Sequence, residues 1–586
     1  MNRKPTTARR LGGSKASVAL LVDWLEDEYQ NTVMRGALDA ARDRALNLVC
    51  FCGGVLDSPV RDGVKRNQVF ELATRESVSA VIALGGTMGN HSGPSRLAEY
   101  CKRYQPLPAC CIGIRLEGMP SVLVDNEVGM RAAIVHVIKE HERKRVFFVR
   151  GPAVNEEAES RFRVYKNTLQ EQGIPFDEQL TYIGDFQPGA GHDAITRALD
   201  ADIKFDAVVA ANDSMAMGAL QALKQRGKNV PGDVAVVGFD DVEEARFLDP
   251  PLTTVRQPLY EQGKEAVRLL VALMQGDKSA TDVTLRTELV VRGSCGCLSA
   301  ESTLTQHDPG STLSFEAQMI QRRAVVLADL VRSARATFGG LRAGWEVQLL
   351  NALIAELGQS MSGAFLASYS ELLQNVYRTG NPLDAWHDVL STLRRHTLGM
   401  LSHDAQRARR AEDVFHSARR AVSNAVERAQ ASRRIEAERL TRRMARASAA
   451  LIATFDEQAL FAACRNEIPA LGVTACYLLR YLPGQGEQAE LVFSVGSGDE
   501  AEGPERTFPR KRLLPRNFRD HPTSDALIVE PLFFRDYSIG YAVFGIGPKN
   551  GTLYESLRDQ ISAAMYGSSL KANAPSSRGR SPRSKR

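Results

Sequence analysis

The 586-residue chain predicts a multidomain protein: an α/β half built on a parallel sheet, an α-helical and coiled-coil linker, and a smaller α+β domain at the end. Three observations predict it. From Ser17 onward, short β-branched runs such as V-A-L-L-V, N-L-V-C-F-C and V-S-A-V-I-A-L-G-G alternate with amphipathic stretches, the pattern of a doubly wound sheet. Between His403 and Ala447 there is neither Gly nor Pro. Beyond residue 453, strand-like runs flank a short turn at Arg535-Asp536-Tyr537 ahead of a closing helix, as in an antiparallel sheet carrying helices. At about 150 residues per domain, the length allows three or four units.

Composition excludes several classes. A formal charge of +5 over this length is no mandate for nucleic acid. No apolar run approaches the roughly 18 residues of a membrane span, and the N-terminus lacks the apolar core of a secretory signal, so a cytoplasmic protein without a membrane partner is expected. The nine cysteines are odd in number, and Cys50/Cys52, Cys110/Cys111 and Cys295/Cys297 lie too close in sequence for an ordinary disulfide framework. Thiols are expected. There is no G-x-x-x-x-G-K-[ST] loop, H-E-x-x-H, paired C-x-x-C or G-G-D-E-F, so neither catalysis nor a cofactor is expected. Nor is a metal, because the two thiols of Cys295-Gly-Cys297 cannot complete a tetrahedral site alone.

Taken in order, residues 1–15 are basic and read as a disordered start. A buried strand from Ser17 ends at Asp23-Trp24 and leads to a helix from about Gln30 to Arg44. Two further strands follow. Asp125 is a good N-cap for the helix after S-V-L-V. D-A-V-V-A-A-N-D-S places Asn212-Asp213 at a strand's carboxyl end. After the turn Pro231-Gly232-Asp233, the run Val234 to Gly238 reads as a central strand buried on both faces. It delivers Asp240-Asp241 into the crevice where open α/β sheets bind ligands. Pro250-Pro251 then forces an extended crossover. A helix around Tyr260 to Met274 and the strand L-R-T-E-L-V-V-R are expected to return to the first lobe.

The passages V-V-G-F-D-D, P-P-L-T-T-V-R-Q-P and S-V-L-V-D-N-E-V-G-M resemble the effector-binding domain of the lac and galactose repressor family, which shares its fold with periplasmic sugar-binding proteins. The resemblance covers residues 16–297 and implies a two-lobed α/β parallel-sheet ligand-binding domain with a cleft between its lobes. It places Arg161, in S-R-F-R-V-Y-K-N-T-L, as a ligand-binding arginine, with Asn212 and Asp240 at two strand ends. Trp24 and Tyr29 fall in the first-lobe loop where family members place contacts. This chemistry suits a polyol: charge-assisted bonds to hydroxyls are strong, and an aromatic face stacks on the C–H surface. One departure is Val164-Tyr165 where the family usually has Gly-Phe, which puts the helix geometry near Arg161 in question. Family repressors begin with a helix-turn-helix, whereas the first strand here starts at Ser17, so the output is expected further along the chain.

Residues 298–402 read as a Ser/Thr-rich linker followed by a helical region. In it Trp345, Leu349, Leu350, Leu353, Ile354 and Leu357 share one face. Within 403–452, Ala405, Ala408, Phe415, Ala418, Val422, Ala425 and Ala429 describe a coiled-coil seam that slips before Leu440, Met444, Ala447 and Leu451 resume it. There are 12 arginines against 6 acidic residues between 403 and 447, spread over several faces without aromatic interleaving, as on a solvated helix. The segment 453–570, with P-L-F-F-R-D-Y-S-I-G-Y-A-V, resembles the GAF domains of bacterial signalling proteins. It lacks the cyclic-nucleotide signature, and Cys476 reads as core. Residues 571–586 read as a basic, disordered tail.

The reading is a non-enzymatic sensory protein. It binds a small polar ligand, sugar-like or nucleoside-like, between two lobes and relays the change through helices to a GAF-like output module, with a homodimer and a signalling partner expected. One alternative is a transcriptional regulator that contacts DNA through a non-standard basic region. Another is a histidine-kinase-like enzyme, with His403 as a phosphorylated residue on a helix.

Overall fold

The computed structural model describes residues 15–573 except 60–62, 278, 298–312, 335–340, 359–361, 379–382, 384, 402, 455, 483, 485–486, 497–504, 516–524 and 549. Residues 1–14 of the basic start, the 298–310 linker and residues 574–586 of the tail therefore lie outside the described residues, while residues 571–573, expected in the tail, end the last helix. The chain divides into two compact units, residues 1–297 with 443–586 and residues 298–442.

The first lobe grows from β1 (Ser17–Val22), buried from Val18 onward because the run is apolar on both faces. Around it lie β2 (Asn47–Cys52), β3 (Ala80–Leu84), β4 (Ala109–Ile112), β5 (Ser121–Val124) and, beyond the second lobe, β11 (Val283–Leu285). The order is β11-β5-β4-β3-β1-β2, with every pairing among these strands parallel. Helix α1 (Glu28–Asp43) is followed by the short α2 (Gly63–Arg66), α3 (Gly85–Met88) and α4 (Gly93–Cys101).

In the second lobe, α5 (Asn126–Lys139) leads into β6 (Val146–Arg150), α6 (Glu156–Glu171), β7 (Thr181–Ile183), α7 (Pro188–Asp200), β8 (Ala207–Ala210), α8 (Asp213–Gln225) and β9 (Ala235–Val237). Its sheet order is β7-β6-β8-β9. The run at Val234 to Gly238 is thus an edge strand and not the expected central one. Its burial comes from cover: Gly238 N donates to Thr253 O at 2.9 Å and Ser294 Oγ to Val236 O at 2.6 Å. Extended cover of this kind and a neighbouring strand leave the same apolar sequence pattern.

Between the lobes, β10 (Thr254–Arg256) pairs antiparallel with β12 (Glu288–Val290). Only the first part of the expected returning strand reaches the first lobe, as β11; β12 stays in the crossover and Cys295 joins the second lobe's core. Helix α9 (Leu259–Met274) lies on α1. Their glycines allow the approach: a Cβ on Gly36 would stand 1.9 Å from Tyr260 O, and one on Gly263 2.0 Å from Val33 O.

The C-terminal α+β domain has α15 (Glu457–Ala470), β13 (Cys476–Tyr481), β14 (Gln488–Val495), β15 (Thr507–Pro509), β16 (Ala526–Phe534), β17 (Tyr537–Gly545) and α16 (Gly551–Asn573). Its five strands are antiparallel to their neighbours in the order β16-β17-β13-β14-β15. β16 then pairs parallel with β2, from Ala526↔Leu48 to Val529↔Phe51, making one 11-stranded sheet. The segments read separately as 16–297 and 453–570 therefore share a sheet and a core, in which Val49 and Phe51 join Val529 and Val543. The free edge of β2 is satisfied by backbone pairing, the general remedy for an exposed apolar edge.

The other unit contains α10 (Phe315–Ser333), α11 (Trp345–Leu357), α12 (Ala364–Arg378), α13 (Trp386–Met400) and most of α14 (Ala405–Ile452). The expected coiled-coil seam is corrected here: Ala411, Phe415, Ala418, Val422 and Ala429 pack into the core of α10–α13 within the same chain. Residues spaced by 3 and 4 mark a buried stripe without saying what covers it. His403 is exposed in a turn before α14, not on a helix. Among the described residues, no helix is long and apolar enough to cross a membrane.

Candidate functional site

The second lobe supplies the charged floor of a cleft. Asn155 caps α6 by accepting from Ala158 N at 2.9 Å, which sets Glu157 and Arg161 one turn apart on the face toward the first lobe. Arg161 is 2% exposed. Its Nε donates to Asn126 Oδ1 at 2.8 Å, its Nη1 to Ala211 O at 2.7 Å, and its guanidinium lies 3.8 Å over the Phe239 ring. Asn126 thus orients the arginine, while Asp125 caps α5 through Glu127 N and Val128 N. Helix α6 runs unbroken through Val164 and Tyr165, whose hydroxyl donates to Val146 O at 2.8 Å, so the departure from Gly-Phe is absorbed by packing.

Glu157 Oε1 sits 3.6 Å from Arg161 Nη2, and among the described residues it has no hydrogen-bond partner. Burial raises this carboxyl above its ordinary range against the pull of Arg161. Asp240, at φ +130°, accepts from Gln257 Nε2 at 2.6 Å. Burial pushes it well above the usual carboxylate range, with Arg161 opposing and Asp213 reinforcing the rise. Asp213 is raised too, chiefly by burial, although Thr254 Oγ1 at 2.5 Å and Val242 N at 3.1 Å donate to it. Two buried carboxyls beside each other cannot both ionise cheaply.

The adjoining carboxylates part company. Asp241, at φ +58°, turns away into Arg256 Nε at 2.7 Å and Arg292 Nη2 at 2.5 Å. It is therefore a crossover clamp, and only Asp240 of the expected pair faces the cleft. Consecutive positive φ values at non-glycine residues are strained backbone, of the kind that persists where its surroundings hold it.

From the first lobe come Trp24, whose Nε1 donates to Asp27 Oδ2 at 2.9 Å, and Tyr29. Asp23, at the end of β1, accepts from Thr87 Oγ1 at 2.7 Å and from Gln30 Nε2 at 3.2 Å; burial holds its carboxyl up at about 6. The lobes meet at the rim, where Glu243 N donates to Glu28 Oε2 at 2.6 Å and Asn155 Nδ2 to Gly86 O at 3.0 Å.

All five residues expected in the sequence, Trp24, Tyr29, Arg161, Asn212 and Asp240, line one cavity of about 170 Å³. Asn212 is also the N-cap of α8: Oδ1 accepts from Met215 N and Nδ2 donates to Phe186 O, both at 3.0 Å. Glu157, Phe186 and Gln257 line the same cavity and were missed. Glu157 carried a legible signal, since it stands one helical turn before Arg161.

Residues 135–295 match the family described as periplasmic binding protein-like domain. The HTH-type transcriptional repressor CytR of Escherichia coli (strain K12) is 38% identical over 181 residues, 31% of this chain and 53% of that protein. The ribose operon repressor of the same strain is 28% identical over 257 residues, 44% of this chain and 74% of that protein. The HTH-type transcriptional regulator CelR of Thermobifida fusca is 34% identical over 244 residues, 39% of this chain and 72% of that protein. The chain spans about half the length of the first of these relatives. It belongs, through the two-lobed effector-binding domain just described, to the lac and galactose repressor (LacI) family.

Proposed function

We propose that this chain is a ligand-responsive transcriptional regulator. A small polyhydroxylated molecule, sugar-like or nucleoside-like, is held between the lobes, and its preference for the closed arrangement shifts the protein's equilibrium. The observation that carries the reading is the buried Glu157 Oε1, which has Arg161 at 3.6 Å as its charge partner but no hydrogen-bond donor among the described residues, in a cavity also lined by Trp24 and Tyr29. A buried acceptor without a donor costs about 1–3 kcal/mol, and a ligand hydroxyl would supply the donor. Asp240, Asn212 and Arg161 are the further proposed contacts. Regulatory relatives such as CytR and CelR support an output on transcription; contact with DNA through a basic region of this chain is the further part of the proposal. No catalytic step is assigned.

A second reading is favoured by the β2–β16 pairing: a change in the first lobe would be felt directly by the C-terminal domain, acting as a GAF-like module that engages a signalling partner. A homodimer fits either reading.

The test is a thermal-shift screen of pentoses, disaccharides and nucleosides on the full chain. At about 100 times its Kd a ligand adds about 2.7 kcal/mol of stability. That gain should vanish in Arg161→Ala and Asp240→Ala; a ligand whose effect survives both substitutions would place the site elsewhere. DNA binding whose affinity responds to that ligand supports the transcriptional output, whereas binding with no sequence preference that collapses with salt counts against it.

A further inference from the structure

Away from the cleft, two thiols and two imidazoles converge at the place where the ligand-binding domain ends. His136 lies in the last turn of α5 and His141 in the loop after it, five residues on. Cys295 and Cys297 flank Gly296, whose φ of +112° is open to glycine, and a Cβ there would stand 3.1 Å from His141 Nδ1. The glycine therefore both makes the turn and lets the histidine ring lie against it.

The distances are those of one coordination sphere. His136 Nε2 is 3.3 Å from His141 Nε2, 3.3 Å from Cys295 Sγ and 3.5 Å from Cys297 Sγ, and Cys297 Sγ is 3.3 Å from His141 Nε2. All four ligand atoms lie within 4.8 Å of one another. Tetrahedral bonds of about 2.3 Å to sulfur and about 2.05 Å to nitrogen require edges of about 3.4 Å for N···N and about 3.6 Å for N···S. Hydrogen bonding alone does not account for the arrangement. A ring nitrogen carries one proton or one lone pair and can satisfy one partner. Here His136 Nε2 faces three, and His141 Nε2 faces both it and a thiol.

We propose that His136, His141, Cys295 and Cys297 form a tetrahedral site for a divalent cation of zinc type. Two thiolates neutralise the cation's charge and two neutral imidazoles complete the sphere; binding displaces the two thiol protons to solvent. Thr253 Oγ1, 3.2 Å from Cys295 Sγ, and the Cys297 amide, hydrogen-bonded to the same sulfur, support the ligand from behind. Cys295 is buried while the other three are partly exposed, which leaves a path for the ion. With four protein ligands the site is closed and structural, not catalytic. It fastens the last turn of the domain to α5, so that the second lobe carries the chain's exit point as a rigid piece. The expectation of no metal counted two thiols alone; the histidines lie 154 or more residues away in sequence.

The test uses the untagged full chain, purified without chelator. Elemental analysis should find one zinc per chain. Cobalt(II) put in zinc's place should show the intense d–d bands of a tetrahedral ion together with thiolate charge transfer. Cys297→Ser and His141→Ala, both at partly exposed positions, should each lower metal affinity by about 10-fold to 100-fold or more. Wild-type protein that holds no zinc after equilibration with the ion, or cobalt with octahedral bands and no charge transfer, would overturn the proposal. So would a Cys295–Cys297 disulfide in reduced preparations. The cobalt spectrum of the wild type decides the matter even if a variant fails to fold.

Discussion

Removing Arg161 would do two things at once, because its guanidinium both faces the cleft and offsets the buried Glu157 carboxylate 3.6 Å away. Leaving such a charge unpaired costs about 3–5 kcal/mol, so the binding phenotype of Arg161→Ala is mixed with a loss of stability. Glu157→Gln separates the two effects. It keeps the shape, and although Arg161 loses its charge partner it retains its bonds to Asn126 Oδ1 and Ala211 O, so the loss of denaturant stability should be smaller than that of Arg161→Ala. Ligand affinity should nevertheless fall by about 10-fold or more, since a charge-assisted bond is replaced by a neutral one. Unchanged affinity by calorimetry would remove Glu157 from the site. At this scale the sequence was legible where a motif carried the residue: Arg161, Asn212 and Asp240 all reach the cavity. It was not legible where neighbours differ only in backbone torsion. Asp240 and Asp241 are chemically identical, and their φ values of +130° and +58° send one to the cleft and the other to two arginines.

Elements were legible wherever apolar periodicity has one interpretation. The run N-L-V-C-F-C is β2, Asn47–Cys52, and the helix expected from about Gln30 to Arg44 is α1, Glu28–Asp43. Periodicity failed where a stripe or a buried run says nothing of its cover. For that reason β9 proved an edge strand, and the Phe415–Ala429 stripe belongs to a bundle. The contact between α1 and α9 was likewise invisible, because it depends on two glycines distant in sequence. It is sharply testable: Gly263→Ala would drive a methyl to 2.0 Å from Val33 O, so the helices must separate. Overpacking of this kind costs about 1–3 kcal/mol, and here it acts against backbone that cannot rotate away. Urea unfolding should show a lower midpoint. A substitution at Gly227, whose Cβ would meet nothing within 4 Å but whose φ is +67°, reports the torsional cost alone. Equal losses at the two positions would mean that the α1–α9 contact is looser than described.

For the molecule as a whole, the property hardest to read was the sheet that runs from the ligand-binding lobe into the C-terminal domain. Strands β2 and β16 are separated by most of the chain, and edge pairing between backbones leaves no local signature in either. The one odd residue in A-L-I-V-E-P-L is Glu530, which is fully buried and paired only loosely, with Arg558 Nε at 3.8 Å from Oε2. Burial lifts its carboxyl from 4.5 to about 7, against the pull of Arg558. In that window the folded chain binds more protons than the unfolded one, so stability falls as pH rises from 4.5 to about 7, by about 3 kcal/mol in all. Glu530→Gln fixes the neutral form. Arg558 keeps Asp559 at 3.1 Å and Glu555 at 3.6 Å, so the substitution orphans no cation. Asp23, held up at about 6, contributes a slope of the same sign in both proteins, so the informative quantity is the difference between them. Urea titrations at about pH 5 and about pH 8 should find the variant nearly equal to wild type in acid and more stable by about 2–3 kcal/mol in base. A constant difference at both values would mean that Glu530 is not the titrating group at this seam. A loss of stability at both would mean that its carboxylate, ionised, holds the two domains together.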